Sequence, residues 1–233
     1  MRSAGLDLVK WLAILTMVAD HLRYLWPQAD GLFIIGRLAF PLFALALAIN
    51  VGRSHPLAWP SATSARYLGW LLVFSVISEA PYRWLDSGST TFNVIPTLSL
   101  GLLVAWGVHH RLSAARWLAA GAALFAAVYS DQLMYGLPGI LLPAAVVVAR
   151  SRGGVTWLLP CALAVAGNLT NSWLREHPLL PVSVLILSVA ALSIPSGYWL
   201  LGQDYRRVPR VGRWGYLFYP LHLLAIKLLQ GVL

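Results

Sequence analysis

The chain is poor in charged residues and almost free of cysteine. Asp, Glu, Lys and Arg together make up 11% of its 233 residues, and the single cysteine, Cys161, excludes a disulfide within the chain. Hydrophobic residues supply 59%, and the mean hydropathy is +0.71. A composition this apolar excludes a sizeable soluble domain and is typical of a membrane protein with several spans.

Acidic residues are about half as frequent as basic ones, and the basic residues are concentrated in loops on one side of the predicted membrane. Eight Asp and Glu oppose 17 Lys and Arg, which gives a net charge of +9. With the amino terminus in the cytoplasm, eleven basic residues fall in the amino-terminal tail and the even-numbered loops, whereas three fall in the opposite loops. This positive-inside pattern orients the chain and accounts for its charge without nucleic acid as a partner.

Nine hydrophobic segments predict an all-α, polytopic helix bundle that forms one membrane domain over residues 1–233. Eight or ten transmembrane helices also fit, because the fifth to seventh segments are shorter than the ~20 residues of a straight span. The turn at 130–133 is also compatible with a re-entrant pair. The nine segments are 6–26, 32–51, 66–82, 92–108, 116–130, 133–149, 155–170, 179–200 and 214–232.

A lysine and a histidine within the first hydrophobic segment have an informative spacing. Lys10 and His21 are eleven residues apart, which is three helical turns plus about 20°, so they share one face and lie about 16 Å apart along the axis. Ionisable groups in a membrane span are costly and mark functional positions. We expect this pair to hold the two ends of a long, anionic substrate that carries a thioester.

Polar residues from five predicted helices lie at one depth, close to the outer membrane surface. Arg37 is about 7 Å below that surface by helical rise, and His21 reaches the same level from the first helix. Asp20 is offset by about 100° from His21, towards a neighbouring helix. Ionisable groups at a common depth usually pair, and such clusters are candidate sites. The remaining members of this level are Glu79, Arg83, Asn93 and Asp131.

Structural interpretations of these residues stay open. Lys10 can extend its amine to the inner surface. Arg37 can form a structural ion pair with Glu79 or Asp131. His222 is predicted to lie about 10 Å or more below the histidine of the first segment. At that depth, His222 could equally well serve helix packing or belong to the site. The histidines show no metal-ligand spacing, so no metal is predicted.

Six sequence blocks, spread in order from end to end, resemble the TraX family of conjugative-transfer membrane proteins, including its TrbP-type members. The resemblance implies a protein of the bacterial inner membrane that acetylates the amino terminus of the pilus subunit, pilin. Acetyl-coenzyme A is the implied donor, and pilin and the lipid bilayer are the implied partners. The blocks are LVKWLAILTMVADH (8–21), IIGRLAFPLFALAL (34–47), SEAPYRW (78–84), TFNVIPTLSLGLL (91–103), SDQLMYGLPGILL (130–142) and GYLFYPLHLLAI (215–226).

The TraX family is in turn similar to a superfamily of membrane acyltransferases. Their first span carries a basic residue, ten intervening residues and a histidine. The resemblance implies that His21 is the catalytic base and that Lys10 contacts the phosphates or pantetheine of the coenzyme. We add His222 and Arg53 to the predicted coenzyme contacts.

The remaining predicted site residues surround this base. Asp20 or Asp131 would orient the imidazole, and Arg37, which matches an arginine of the family, would offset charge on the tetrahedral oxygen. Asp131 is followed by glutamine where the family pattern leads us to expect tyrosine. Glu79 completes the predicted catalytic group, and the predicted substrate contacts are Arg83, Tyr82 and Asn93.

Two other classes of function stay open at this point. One is a pilin-maturation factor that assists cyclisation or acts as a membrane chaperone, because some pilus subunits are cyclised rather than acetylated. The other is an ion-coupled transporter, in which the polar residues at the outer level form an ion path. The sequence does not indicate the oligomeric state.

Overall fold

The computed structural model describes residues 3–203, 205 and 207–232. In this part of the chain all regular secondary structure is helical, which confirms the all-α prediction. The α-helices are α1 (Ala4–Leu22), α2 (Asp30–Gly36), α3 (Ala39–Val51), α4 (Ala62–Leu85), α5 (Val94–His109), α6 (Ser113–Val128), α7 (Gly136–Arg152), α8 (Leu158–Asn168), α9 (Ser172–Glu176), α10 (Pro181–Leu201) and α11 (Trp214–Gln230). Two short 3₁₀ helices, Ser130–Gln132 and Gly154–Trp157, precede α7 and α8.

The predicted segments correspond to these helices, and the second segment is divided in two. It comprises α2 and α3, which are separated at residues 37 and 38. Pro41 lies in the first turn of α3, where its ring nitrogen cannot donate to the carbonyl of Arg37, and this missing hydrogen bond favours the break before α3. Pro220, by contrast, lies within the continuous helix α11.

Two segments of the described chain are long and apolar enough to cross a membrane. They are Asp30–Val51, which contains α2 and α3, and Pro181–Leu201, which is α10. The helices α5 and α6 and the segment Gly154–Asn168 are apolar but shorter. The all-helical fold is therefore established, whereas a topology with nine transmembrane helices stays a prediction.

The helix α3 forms the centre of the bundle. It is apolar around its whole circumference, as expected of a helix that neighbours cover on all sides, and α1, α5, α7 and α10 pack against it. Leu42 and Leu45 are at most 1% exposed. On the periphery, α6 turns Trp117, Leu124 and Val128 outward, each more than two-thirds exposed. An apolar surface of this kind suits contact with lipid.

Candidate active site

Two histidines from the first and the last helix contact each other. His21 lies in the last turn of α1, and His222 lies in the middle of α11. The Nδ1 atom of His21 is 2.7 Å from the Nε2 atom of His222, and the ring centroids are 4.9 Å apart. His222 is buried, and His21 is half-buried. We call this pair the histidine dyad.

The hydrogen bonds of the dyad define which ring nitrogens carry hydrogen. The Nδ1 atom of His222 is 3.0 Å from the backbone carbonyl of Phe218, and a carbonyl can only accept, so this nitrogen is protonated. In neutral His222 the Nε2 atom is then an acceptor, and Nδ1 of His21 donates to it. His21 therefore keeps its lone pair on Nε2, as a general base requires.

The prediction that His222 lies about 10 Å or more below His21 is wrong. The rings of Trp11 and Trp214 are 5.2 Å apart, and the indole of Trp11 donates to the carbonyl of Pro209 at 3.0 Å. The helix α11 therefore begins beside the third turn of α1 rather than beside its first residues. This offset of about 10 Å raises His222 to the level of His21.

Asp20 forms an ion pair with Arg37 instead of contacting the dyad. Its Oδ1 atom is 2.5 Å from Nη2 of Arg37. The Nε atom of Arg37 donates to the carbonyl of Phe33 at 3.2 Å, and Nη1 lies 3.5 Å from Oδ1 of Asn168. Asp20 thus reaches a neighbouring helix, as helical periodicity predicts, and in the described part of the chain no hydrogen bond joins its carboxylate to the imidazole of His21.

The surroundings of this ion pair are tightly packed. A Cβ atom at Gly36 would overlap the carboxylate of Asp20. Tyr135, whose hydroxyl interacts electrostatically with the ion pair, has a left-handed backbone with φ of 63°. Its ring stacks on that of Phe40, with centroids 4.1 Å apart. Such a conformation costs of order 1–3 kcal/mol in a residue other than glycine and is concentrated at functional sites.

A second polar cluster joins the end of α4 to the start of α5. The carboxylate of Glu79 accepts from Nε of Arg83 at 2.7 Å. It also accepts from the backbone and side-chain nitrogens of Asn93 at 3.0 and 2.7 Å. The hydroxyl of Tyr82 pairs with that of Ser89 at 2.6 Å. Within the described chain, no hydrogen bond links this cluster to the dyad. The cluster ties two helix ends together, and the predicted roles of Glu79 in catalysis and of Tyr82, Arg83 and Asn93 in substrate binding stay predictions.

The structure does not bring Asp131 into the outer cluster. Asp131 is exposed in the 3₁₀ helix Ser130–Gln132 and makes no hydrogen bond or ion pair with any residue that the structure describes. Asn168 and Tyr135 lie beside the Asp20–Arg37 pair instead. The turn at 130–133, which we call the hinge, exposes Asp131 and Gln132, and the chain becomes buried at Leu133.

Two of the predicted coenzyme contacts lie together at the other end of α1. The half-buried Lys10 interacts electrostatically with Asp7, Arg53 and Arg210. Arg53 is exposed and lines an inner cleft of about 550 Å³ between the end of α3 and the start of α4. The third predicted contact, His222, is separated from them because it belongs to the dyad.

A larger cleft, with a volume of about 700 Å³, opens just beyond the end of α1, and we call it the outer cleft. Neither histidine lines it, and Tyr24 connects its lining to the dyad. The cleft lies between the ends of α1 and α4, the helix α2, and the helices α9 and α10. Its charged lining residues are Arg23, Asp30 and Asp86. The hydroxyl of Tyr24 donates to Oδ2 of Asp86 at 2.7 Å, and the rings of Tyr24 and His21 stack with centroids 6.5 Å apart.

Three residues of this region were not predicted from the sequence. For Asn168, which is 2% exposed, a signal was available, because an amide in an apolar helix needs a buried partner. Tyr24 follows His21 by three residues, and this helical spacing could have placed the two side chains on one face. Tyr135 gave no usable signal, because a tyrosine side chain does not indicate a left-handed backbone conformation.

The chain belongs to the TraX family, since the family model described as TraX protein matches residues 5–230. It is 31% identical to a probable fimbrial assembly protein, FimC of serogroup H1, from Dichelobacter nodosus, over 94% of this chain and 92% of the relative. It is 27% identical to Protein TraX of Escherichia coli, over 96% of this chain and 86% of the relative. A second Protein TraX, from Escherichia coli strain K12, is 28% identical over 83% and 78%. No solved structure is significantly similar to the chain. The family predicted from the sequence blocks is therefore confirmed.

Proposed function

We propose that the protein is a membrane acyltransferase that transfers an acetyl group from acetyl-coenzyme A to the amino terminus of a pilus or fimbrial subunit. The histidine dyad carries this proposal, because its hydrogen bonds leave an unprotonated nitrogen on His21 near an open cleft. A relative that is named a probable fimbrial assembly protein supports this class of acceptor. The TraX resemblance favours conjugative pilin.

The acceptor reacts as a neutral amine, so an amino terminus that arrives as an ammonium first loses one proton to water. The transfer itself then needs one base, which first takes and then returns a proton. The amine nitrogen bonds to the carbonyl carbon of the thioester while Nε2 of His21 takes its proton. The carbon–sulfur bond then breaks, and His21 returns the proton to the leaving sulfur, which gives an amide and a free thiol. His222 accepts from Nδ1 of His21 and stabilises the transient imidazolium. General-base catalysis of this kind contributes about 10²–10⁴-fold.

Arg37 supplies positive charge for the tetrahedral intermediate. A guanidinium has five N–H donors, and Phe33, Asp20 and Asn168 occupy one each. Two N–H groups are left to stabilise negative charge on the reacting oxygen. In this mechanism, Asp20 positions Arg37 and does not touch the substrate.

We further infer nine transmembrane helices in a bacterial inner membrane, with the amino terminus in the cytoplasm. Lys10 and Arg53 then face the cytoplasm, where acetyl-coenzyme A is made, and the dyad lies near the periplasmic side. The axial separation of about 16 Å between Lys10 and His21 suits the pantetheine arm of the coenzyme. A reporter fused to the carboxy terminus tests this topology, and activity confined to the cytoplasm would contradict nine spans.

The intact mass of the mature subunit tests the reaction itself. Cells with the wild-type protein should yield a subunit heavier by one acetyl group. Cells with His21→Ala, or without the protein, should yield the unmodified mass. A subunit lighter by one water would indicate cyclisation instead. If the subunit does not accumulate in cells that lack the protein, a chaperone is indicated. Altered ion uptake with no change in subunit mass would indicate a transporter.

A further inference from the structure

The outer cleft carries the chemistry that recognises a positively charged amine. We infer that it binds the free amino terminus of the acceptor polypeptide as an ammonium group. This inference rests on the proposed acyl transfer for its biological purpose, but the binding chemistry is independent of it. Asp86 and Asp30 supply negative charge, and the rings of Tyr24, Phe33 and Trp173 supply a surface to which cations bind.

Asp86 is the carboxylate that the cleft holds in a defined position. It lies half-buried at the end of α4, and its Oδ2 atom accepts the hydrogen bond from Tyr24 at 2.7 Å. In the part of the chain that the structure describes, Asp86 forms no ion pair with a basic side chain. Its charge is therefore available to a ligand, and Asp30, exposed in the first turn of α2, adds a second carboxylate at the rim.

Two cations already lie on the aromatic rings of the cleft, and one of them is Arg37, whose guanidinium carbon is 4.1 Å from the ring centroid of Phe33. The guanidinium carbon of Arg23 is 5.0 Å from the ring centroid of Tyr24 and 5.2 Å from that of Phe33. Its Nε atom is 4.0 Å from the carboxylate of Asp20, which already pairs with Arg37, so the charge of Arg23 counts within the cleft. Asp30 and Asp86 outnumber this one lining cation, and the net negative charge that results favours a cationic ligand over an anionic one.

The position and the walls of the cleft suit the end of a polypeptide. Tyr24 links Asp86 to His21, because its hydroxyl donates to the carboxylate of Asp86 and its ring stacks on that of His21. Apolar walls are formed by Ile34 and Ile186. A free amino terminus followed by apolar residues matches both the charge and the walls, whereas a lysine in a polar chain matches the charge alone.

Peptide binding to the full-length protein in detergent micelles tests this inference. The probe is a fluorescent peptide of leucine and alanine with a free amino terminus, compared with the same peptide acetylated at that end. The wild-type protein should bind the free peptide about tenfold more tightly, as expected for a charge-assisted contact. Asp86→Asn should lose most of this preference. Glu176→Gln, which removes an exposed carboxylate from the end of α9 outside the cleft lining, should retain it.

Equal binding of both peptides by the wild-type protein would overturn the inference, and so would an unchanged preference in Asp86→Asn. If Asp86→Asn does not fold, Tyr24→Phe and Asp30→Asn replace it, and each should reduce the preference. An acetylated peptide with an internal lysine separates the two sources of ammonium, since binding as tight as that of the free peptide would overturn the assignment to an amino terminus. Discrimination without any acetyl transfer would refute the proposed function and leave the binding site standing.

Discussion

Removing His222, the partner of the proposed base His21, should slow the proposed acetyl transfer while His21 itself remains. In His222→Ala, the Nδ1–H group of His21 loses an acceptor that lies 2.7 Å away. A hydrogen bond to a group that becomes charged is worth about 1.5–3 kcal/mol. Since about 1.4 kcal/mol corresponds to tenfold in rate, kcat should fall by about 10- to 150-fold. The KM for acetyl-coenzyme A should stay near that of the wild type, because His222 acts only after the donor is bound.

A double-variant cycle separates a dyad from two independent residues. His21→Ala should lower kcat by about 10²–10⁴-fold, because the base is lost. If His222 acts through His21, the double variant should be no slower than His21→Ala alone. His222→Gln retains an acceptor oxygen on a side chain of similar reach, so it should recover part of the rate. The assay is the initial rate of peptide acetylation by purified, full-length protein in micelles, followed by mass.

Additive losses in the double variant would refute the dyad. A larger loss in His222→Ala than in His21→Ala would place the base on α11 rather than on α1. Thermal unfolding of each variant distinguishes lost catalysis from lost folding.

Three further predictions concern packing, titration and the donor end of α1. Gly36→Ala should lower the melting temperature and the transfer rate, because a Cβ atom there would overlap Asp20. Gly31→Ala is the control, since its Cβ atom would point into open space and should change neither quantity. Equal effects of the two substitutions would contradict this packing. Burial lowers the pKa of His110 from its ordinary 6.5, because desolvation disfavours the imidazolium. The unfolded chain then binds more protons below pH 6.5, so stability should fall as the pH falls, and less steeply in His110→Asn; parallel stability curves for both proteins would contradict this. Lys10→Ala should weaken acetyl-coenzyme A binding in calorimetry and Lys10→Arg should preserve it, whereas equal binding by all three proteins would leave Lys10 a structural role.

Features that depend on periodicity within one helix could be predicted from the sequence. The spacing of Lys10 and His21 places them on one face of α1. The offset of Asp20 directs it to a neighbouring helix, where it meets Arg37. The helices themselves follow from apolar runs, because a helix satisfies every backbone hydrogen bond within its own segment.

Features that depend on connecting segments could not be predicted in this way. The level of α11 against α1 is set by a non-helical segment, in which the backbone N–H of Val211 donates to Asp7 at 3.2 Å. Such a segment has no periodic pattern from which its path can be read. After the hinge, Tyr135 adopts a left-handed backbone that is rare outside glycine, and it lies by the ion pair while Asp131 remains at the surface.

The pairing of the ionisable residues matters for how the proposed base works. A carboxylate bonded directly to His21 would stabilise the imidazolium before the substrate arrives. Neutral His222 fixes the tautomer without adding that charge, and Arg37 pairs with the charge of Asp20 instead. Among the described residues, no serine hydroxyl or cysteine thiol is hydrogen-bonded to the dyad, so the acceptor amine itself is the nucleophile of the proposed reaction. The donor then extends along α1 from Lys10, the acceptor enters through the outer cleft, and direct transfer requires both to be bound at His21 together.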